Sequence, residues 1–190
     1  MQTDRVETVV GWGFRTSAWT AADLPTVASV ANPTPGDFGY YWITPDSVRI
    51  ETGKRIYLYK EGRLYEMDSR TKQARRVEEE EADEKGLDPT AFVEMDLRGP
   101  WLGTLLADKV GSLKRRLARE RVGSLVCQMT EWSNRFFVER RWQYKLRSGM
   151  VSVRYEAVYK DKVSGFVVLS GLVDPRVEQV PSSLFDLPSP

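Results

Sequence analysis

The pattern of apolar and polar positions divides the 190-residue chain into four parts. The first part, VETVVGWGFRTSAW, is rich in Val, Trp and Phe and predicts a strand with a bend or bulge at Gly11 and Gly13. Residues 21 to 37 contain three prolines among small residues. This composition predicts a loop in which any regular structure is brief.

The second part begins at Phe38 and alternates apolar and polar residues with period two between the turn sequences TPD, TGK, KEG and DSRT. The pattern predicts a meander of short strands. Its loops are too short for parallel crossovers, so the pairing is expected to be antiparallel. We expect one apolar face, towards a helix or a hollow, with Tyr57 and Tyr59 on the other face. The expected apolar face comprises Val48, Ile50, Ile56, Leu58 and Leu64.

The third part predicts one amphipathic helix over residues 100 to 121, after an acidic run, EEEEADEKGLDP, that is typical of a solvated connector. Pro100 suits a first helical turn, and the basic residues suit the C-terminal end. The helix could also lie on a membrane surface, but packing on the sheet is favoured by layer architecture. The apolar stripe comprises Leu102, Leu105, Leu106, Val110, Leu113 and Leu117.

The fourth part predicts four further strands: SLVCQMTEW, RFFVERRWQYKLRSG, MVSVRYEAVYK and SGFVVLSGLV. The RSG sequence at 147 to 149 is a hairpin signal. Together the four parts give nine or ten strands and one long helix in a single domain spanning residues 1 to 190. The predicted fold class is therefore α+β, with a large curved antiparallel sheet and the helix packed on its concave face.

Composition excludes several functions. With 28 basic and 27 acidic residues the net charge is +1, which argues against nucleic-acid binding. No stretch reaches the ~20 apolar residues of a membrane span, so an integral membrane protein is not expected. The chain has no histidine, which removes Ser-His-Asp triads, Cys-His pairs and histidine metal sites. No cofactor or metal is predicted, and Cys127 is expected to be a small buried hydrophobe.

Two sets of residues were weighed as candidate sites. Carboxylates near the meander turns could form an acid–base pair, but such groups are usually solvating, so no catalytic residue is nominated. Arginines beside aromatic residues on two neighbouring strands could bind an anion or an aromatic ligand, although a cross-strand ladder is the more common arrangement. The carboxylates are Asp46, Glu51, Glu66 and Asp68, and the second set is Arg140, Arg141, Trp142, Arg154 and Tyr155.

Two short motifs suggest a family. The first, W-I-x-P-D-x-x-R-I, is matched by Trp42, Ile43, Pro45, Asp46, Arg49 and Ile50. The second, P-x-S-L-F-x-x-P, is matched by Pro181, Ser183, Leu184, Phe185 and Pro188. With one helix predicted between them, the chain after residue 38 resembles the periplasmic lipoprotein-carrier superfamily (LolA-like), as an uncharacterised relative related to outer-membrane lipoprotein sorting.

The resemblance implies a half-open β-barrel whose concave apolar face is covered by helix and, in the carriers, binds acyl chains. It implies a non-catalytic periplasmic or otherwise extracytoplasmic protein whose signal peptide is removed, with Leu184 and Phe185 anchoring the C-terminal segment. The expected ligand is a lipid, a lipoprotein acyl chain or another apolar molecule, and envelope proteins are further expected partners. The alternatives are a small-molecule enzyme on the same scaffold and an interaction subunit of an envelope complex. The expected apolar lining is Val48, Ile50, Ile56, Leu58, Leu64, Leu102, Leu105, Leu106, Val110 and Leu113.

Overall fold

The computed structural model describes residues 4–20, 39–53, 55–84, 113–133, 137–160 and 165–188. These residues form eleven β-strands, one short α-helix and one short 3-10 helix. The strands are β1 (Arg5–Thr20), β2 (Tyr40–Ile43), β3 (Ser47–Thr52), β4 (Arg55–Lys60), β5 (Arg63–Asp68), β6 (Ala74–Val77), β7 (Leu113–Val122), β8 (Leu125–Ser133), β9 (Phe137–Lys145), β10 (Met150–Lys160) and β11 (Gly165–Pro181). The helices are α1 (Glu79–Glu84) and the 3-10 helix Ser182–Phe185.

All eleven strands belong to one antiparallel sheet, in the order β6-β5-β4-β3-β2-β1-β11-β10-β9-β8-β7. The two long strands β1 and β11 form its centre. The first wing, β2 to β6, extends from β1, and the second wing, β7 to β10, extends from β11. The large antiparallel sheet predicted from the sequence is confirmed, and in the described part of the chain the sheet does not close on itself.

The predicted irregularity near Gly11 is confirmed. The pairing of β1 with β11 shifts register between Val10 and Trp12, as at a β-bulge. The next glycine is required by close packing, because a Cβ at Gly13 would lie 2.1 Å from Cε2 of Tyr41. The two glycines therefore let a long strand bend and let an aromatic ring cross its backbone.

The predicted helix at residues 100 to 121 is wrong over its second half. Residues Leu113–Val122 form β7, which pairs with β8 at the edge of the described sheet. Leu113 is 61% exposed, so the apolar spacing there does not mark a buried helical face. Strand pairing overrides the local helical pattern because β7 and β8 are joined by a tight turn at Gly123, whose φ is +57°. Residues 85 to 112, with Leu102, Leu105, Leu106 and Val110, lie outside the described residues.

The acidic run is not entirely a solvated connector. Its first residues form α1, and Ala82 on this helix is fully buried in the apolar core. Arg75 forms ion pairs with Glu81 of α1 and with Glu66 of β5. The helix therefore covers the end of the first wing, and Glu80 on it is exposed.

Alternation within the meander strands is confirmed, but the predicted grouping across strands is wrong. Leu58 and Tyr59 lie on opposite faces, as period two requires. However, Val48 pairs directly with Tyr59, and directly paired residues share a face. Val48, Ile50 and Leu64 therefore lie with Tyr57 and Tyr59, whereas Ile56 and Leu58 lie on the other face. The sequence pattern fixes alternation along a strand but not the register between strands.

Buried apolar side chains form two clusters on the two faces of the first wing. The main cluster includes residues of both wings. The tail cluster lies on the opposite face of the first wing and contains the C-terminal segment. The main cluster comprises Val9, Tyr41, Ile43, Val48, Ile50, Tyr57, Tyr59, Leu64, Val77, Ala82, Val122, Leu125, Cys127, Trp142, Leu146, Val151, Val153, Tyr155, Ala157 and Leu172. The tail cluster comprises Ile56, Leu58, Met67, Val180 and Phe185, with Val6, Trp42 and Leu184 packed against it.

The C-terminal segment is anchored as predicted. Phe185 is 5% exposed, and Leu184 packs against the tail cluster. The guanidinium of Arg49 donates a hydrogen bond to the Leu184 carbonyl at 2.9 Å, and Lys60 Nζ donates to the Phe185 carbonyl at 3.1 Å. Apolar burial and two hydrogen bonds from side chains to backbone carbonyls therefore fix a segment that would otherwise fray.

Candidate functional site

A cavity of about 640 Å³ lies at one end of the sheet. Its walls are the start of β1, the turn between β2 and β3, the turn between β9 and β10, and the C-terminal segment. The cavity therefore lies between the two wings, the start of β1 and the C-terminal segment. Its volume lies within the range of small-molecule binding sites.

The β2–β3 turn forms a rigid wall of the cavity. The hydroxyl of Thr44 donates to Asp46 Oδ1 at 2.7 Å, and the Ser47 amide donates to the Thr44 hydroxyl at 3.1 Å. The Thr44 amide also donates to the Ser47 carbonyl at 2.9 Å. These bonds explain why Thr, Pro, Asp and Ser follow Ile43, because each fits a tight side-chain-capped turn.

The β9–β10 turn packs against that wall. The Leu146 amide donates to the Gly149 carbonyl at 2.9 Å, which confirms the hairpin predicted at 147 to 149. A Cβ at Gly149 would lie 2.8 Å from Cβ of Pro45, so the two turns touch. The Arg147 amide donates to Glu7 Oε2 at 2.6 Å. Contacts between distant parts of the sequence thus define the cavity.

The cavity has apolar and charged walls. Val6, Pro45 and Phe185 contribute apolar surface. Three cations and three carboxylates also line it, so the site has no formal net charge. Such a lining suits an amphiphilic ligand, with an apolar body and a polar end. The charged residues are Arg5, Lys60 and Arg147, with Glu7, Asp46 and Asp186.

The cavity adjoins both clusters, since Phe185 of its lining belongs to the tail cluster and other lining residues neighbour the main cluster. Glu7 lines the cavity and Val9 belongs to the cluster, and residues two apart on a strand point to the same face. On the second wing, Leu146 of the cluster directly precedes Arg147 of the cavity. A ligand in the cavity would therefore lie at the end of the apolar interior.

The apolar lining predicted from the sequence is divided between several environments. Val48, Ile50 and Leu64 are at most 1% exposed in the main cluster. Ile56 and Leu58 lie beneath the C-terminal segment in the tail cluster. Leu113 is exposed on β7, and the four helix residues at 102, 105, 106 and 110 lie outside the described residues. The six of these residues that the structure describes do not line the cavity.

Sequence reasoning missed the cavity, although it singled out two of its walls. Pro45 and Asp46 belong to the first family motif, and Ser182, Phe185 and Asp186 lie within or beside the second. The sequence did contain a signal for these walls, because both motifs combine turn-forming residues with apolar residues that can anchor a segment. Their meeting at one end of the sheet depends on the pairing of β1 with β11, which no local pattern contains.

The arginine-rich residues of the second wing form cross-strand ladders. Arg140 pairs with Glu131 of β8 at 2.9 Å and with Glu156 of β10 at 3.0 Å. On the opposite side of β9, Arg141 lies over the ring of Tyr155 and pairs with Glu139. Arg154 lies over the ring of Trp142, with Cζ 5.8 Å from the ring centroid. These side chains connect neighbouring strands, as the ladder interpretation predicted, but Arg141 and Trp142 are buried and do not lie on the surface.

The carboxylates near the meander turns have structural partners. Asp46 caps its turn, Asp68 accepts the amides of Arg70 and Thr71, and Glu51 pairs with Arg49. Glu66 differs from expectation, because it is 4% exposed and bonds to the Tyr57 hydroxyl. Each carboxylate has a structural partner.

Other chemistry is limited in the described part of the chain. Burial raises the pKa of the Cys127 thiol to about 12, against a weaker opposing effect of Arg154, so a thiolate is disfavoured. Among the described residues, no group of three or more acidic or cysteine side chains is arranged to bind a metal. No helix in this part is both long and apolar enough to cross a bilayer.

Comparison with solved structures finds distant structural similarity. No protein-family model and no curated protein matches the sequence. The chain is similar to the crystal structure of a DUF1329 family protein from Desulfovibrio piger, with 8% sequence identity and a TM-score of 0.27. The alignment covers 94% of this chain and 89% of that chain. Similarity at this level supports no functional argument, and membership of the lipoprotein-carrier superfamily stays a prediction.

Proposed function

We propose that this protein is a non-catalytic binding or carrier protein for an amphiphilic molecule, such as a lipid or a lipoprotein acyl chain. The observation that supports the proposal is the cavity of about 640 Å³ at the end of the apolar interior. Its apolar walls suit hydrocarbon, and its charged residues suit a polar end group. The proposed binding site lies at the end of the sheet, whereas the sequence suggested the face of the meander.

Apolar burial alone could provide useful affinity. Each methylene transferred from water contributes ~0.8 kcal/mol, so a fourteen-carbon chain provides roughly 10 kcal/mol before ordering costs. That amount supports micromolar binding without a dedicated hydrogen-bonding motif. The polar residues would then select the orientation of the ligand, with its end group towards Lys60 and Arg147.

Binding is favoured over catalysis by the state of the cavity carboxylates. Glu7 accepts the Arg147 amide, Asp46 accepts the Thr44 hydroxyl, and Asp186 lies 3.7 Å from Lys60 Nζ. Each carboxylate therefore already has a structural partner within or between the cavity walls. A general acid or base needs a carboxyl group positioned for proton transfer with a substrate.

An extracytoplasmic location is part of the proposal, because it follows from the resemblance to periplasmic carriers. Fractionation of cells that express the protein from its native gene tests it directly. Recovery in the periplasmic or membrane-associated fraction is expected. Recovery with cytosolic markers alone would remove the carrier role from the proposal.

The binding role can be tested with protein purified from cells. Native mass spectrometry should detect a co-purifying lipid, and delipidated protein should bind a fluorescent fatty acid. Protein that carries no lipid, and that does not bind the probe at tens of micromolar, would contradict the proposal and favour a scaffold or interaction role.

A matched pair of variants assigns binding to the cavity. Ser148→Trp introduces a large ring at an exposed turn position that lines the cavity, so probe binding should fall. Ser69→Trp makes the same change in the β5–β6 turn, away from the lining residues, and should bind as the wild type does. Equal binding by both variants would exclude the cavity as the site.

A further inference from the structure

Three aromatic side chains form a row on the surface of the central strands. The ring centroids of Trp12 and Tyr40 are 5.2 Å apart with an interplanar angle of 81°. Those of Tyr40 and Trp42 are 4.7 Å apart at 68°. Each neighbouring pair is thus edge-to-face, a favourable arrangement for aromatic rings. We call these residues the aromatic row.

The aromatic row faces away from the main cluster. Trp12 pairs directly with Tyr40, so their side chains share a face of the sheet. Tyr41, between Tyr40 and Trp42 in sequence, points into the main cluster on the other face. Trp12 is 46% exposed, an unusual exposure for so large a ring.

Charged pairs flank the row on both sides. On β11, Arg176 Nε donates to Glu178 at 2.7 Å, and another of its nitrogens donates to the Tyr40 hydroxyl at 3.1 Å. On β3, Arg49 donates to Glu51 at 3.0 Å and lies over the Trp42 ring at 5.9 Å. These bonds fix planar polar groups beside the rings.

The charge balance indicates which ligand fits. The two arginines are each paired with a glutamate, so the surface has no net charge, whereas nucleic acids and anionic membranes require uncompensated cations. An exposed ring with fixed donors and acceptors beside it matches a pyranose, which presents apolar C–H faces and a rim of hydroxyl groups. We propose that the aromatic row is a binding site for an uncharged oligosaccharide.

The row also has a defined end. Arg49, beside Trp42, donates to the Leu184 carbonyl, and Leu184 packs with Trp42 against the tail cluster. The docked C-terminal segment therefore bounds the site on that side, while Trp12 is exposed at the other. Because neighbouring rings are edge-to-face, the exposed ring of Trp12 would provide the stacking face for one sugar ring.

Isothermal titration calorimetry with cellohexaose and chitohexaose tests the proposal. At least one should bind the wild type, and Trp12→Ala should weaken that binding by about tenfold, the value of one aromatic contact. Trp12 is half exposed, so its removal should leave the fold intact. Trp132→Ala removes a tryptophan of β8 on the second wing and should leave affinity unchanged.

Several results would overturn the proposal. One is no heat of binding for either oligosaccharide at millimolar concentration. Another is unchanged affinity in Trp12→Ala, or an equal loss in Trp132→Ala. Binding of oligothymidine or of anionic vesicles in place of the sugars would assign the surface to another ligand class and would equally reject it. Because Trp12 does not line the cavity, fatty-acid binding by Trp12→Ala should match the wild type, which separates this test from that of the proposed function.

Discussion

The two wings of the sheet share antiparallel pairing but differ in what is buried on them. In the first wing, Leu58 and Leu64 are at most 1% exposed on opposite faces, so apolar clusters lie on both sides of the meander. In the second wing, Glu131, Glu139 and Glu156 are all at most 4% exposed. Glu66 is likewise buried in the first wing, but the three carboxylates make ion pairing more extensive in the second.

Arginines of neighbouring strands satisfy the buried charges of Glu131 and Glu156, and Glu139 pairs with Arg141 of its own strand. Glu131 lies between Arg115 and Arg140, and Arg140 also reaches Glu156. Burying a carboxylate is costly unless it is paired and hydrogen-bonded, and the pairs of Glu131 and Glu156 each span two strands. Two kinds of interaction therefore stabilise one sheet. Apolar packing does not depend on pH and is not screened by salt, whereas ion pairing depends on pH and is screened by salt.

The largest expected effect is in the first wing. Leu58→Ala should reduce the free energy of unfolding by about 3 kcal/mol, because Leu58 is fully buried beneath the C-terminal segment. Urea denaturation measures the change. Val126→Ala, at a half-exposed position of β8, should cost almost nothing. A loss below about 1 kcal/mol for Leu58→Ala would show that the tail cluster contributes little.

The second-largest expected effect on stability comes from a substitution that removes ion pairs in the second wing. Glu131→Gln should reduce the free energy of unfolding by roughly 1.5 kcal/mol, since two arginines lose their charged partner. The loss should shrink in about 1 M salt, because both arginines are partly exposed. The Leu58→Ala loss should not shrink. A salt-independent loss for Glu131→Gln would remove the electrostatic distinction between the wings.

Two carboxylates that share Arg140 should respond oppositely to pH. Burial raises the pKa of Glu156, and its bond with Arg140 does not offset this. Burial would also raise the pKa of Glu131, but hydrogen bonds from Arg140 and Arg115 outweigh it and leave the pKa below its ordinary value. Glu131 therefore stabilises the fold above its unfolded pKa of about 4.3, and this contribution is lost as pH falls through its folded pKa.

For Glu156 the sign is reversed. Its contribution is present below the unfolded pKa and is lost as pH rises through the raised folded pKa. Urea denaturation of the wild type, Glu131→Gln and Glu156→Gln from about pH 3 to about pH 7 measures both effects. The stability of the wild type relative to Glu131→Gln should increase with pH, and relative to Glu156→Gln it should decrease. Parallel curves for the two variants would contradict the different environments assigned to these carboxylates.

The smallest effect concerns the C-terminal segment. Lys60→Met removes the hydrogen bond to the Phe185 carbonyl and the ion pair with Asp186, at a cost of about 0.5 kcal/mol for a partly exposed lysine. Hydrogen exchange should be faster at the Asp186 amide. Lys145→Met, at an exposed position of β9, is the control. Unchanged exchange would mean that apolar contacts alone fix the segment.

The sequence determined the local elements where the polar pattern and the turn residues agreed. The strands of the meander and the hairpin at 147 to 149 follow from short-range chemistry that is visible in the chain, whereas the anchors Leu184 and Phe185 were expected from the family resemblance. The helix prediction failed at β7 because leucines four residues apart match a helical stripe even when strand pairing decides the conformation.

The tertiary structure alone decided the register and the sites. A one-residue difference in register placed Val48 and Leu58 on opposite faces, although each lay correctly within its own strand. The cavity requires Glu7 to meet Arg147, and the aromatic row requires Trp12 to pair with Tyr40. These residues are far apart in the chain, and the contacts between them depend on how β1, β2 and β11 pair. Local periodicity contains no information about such pairing, so the sequence by itself could name the walls of the cavity but not bring them together.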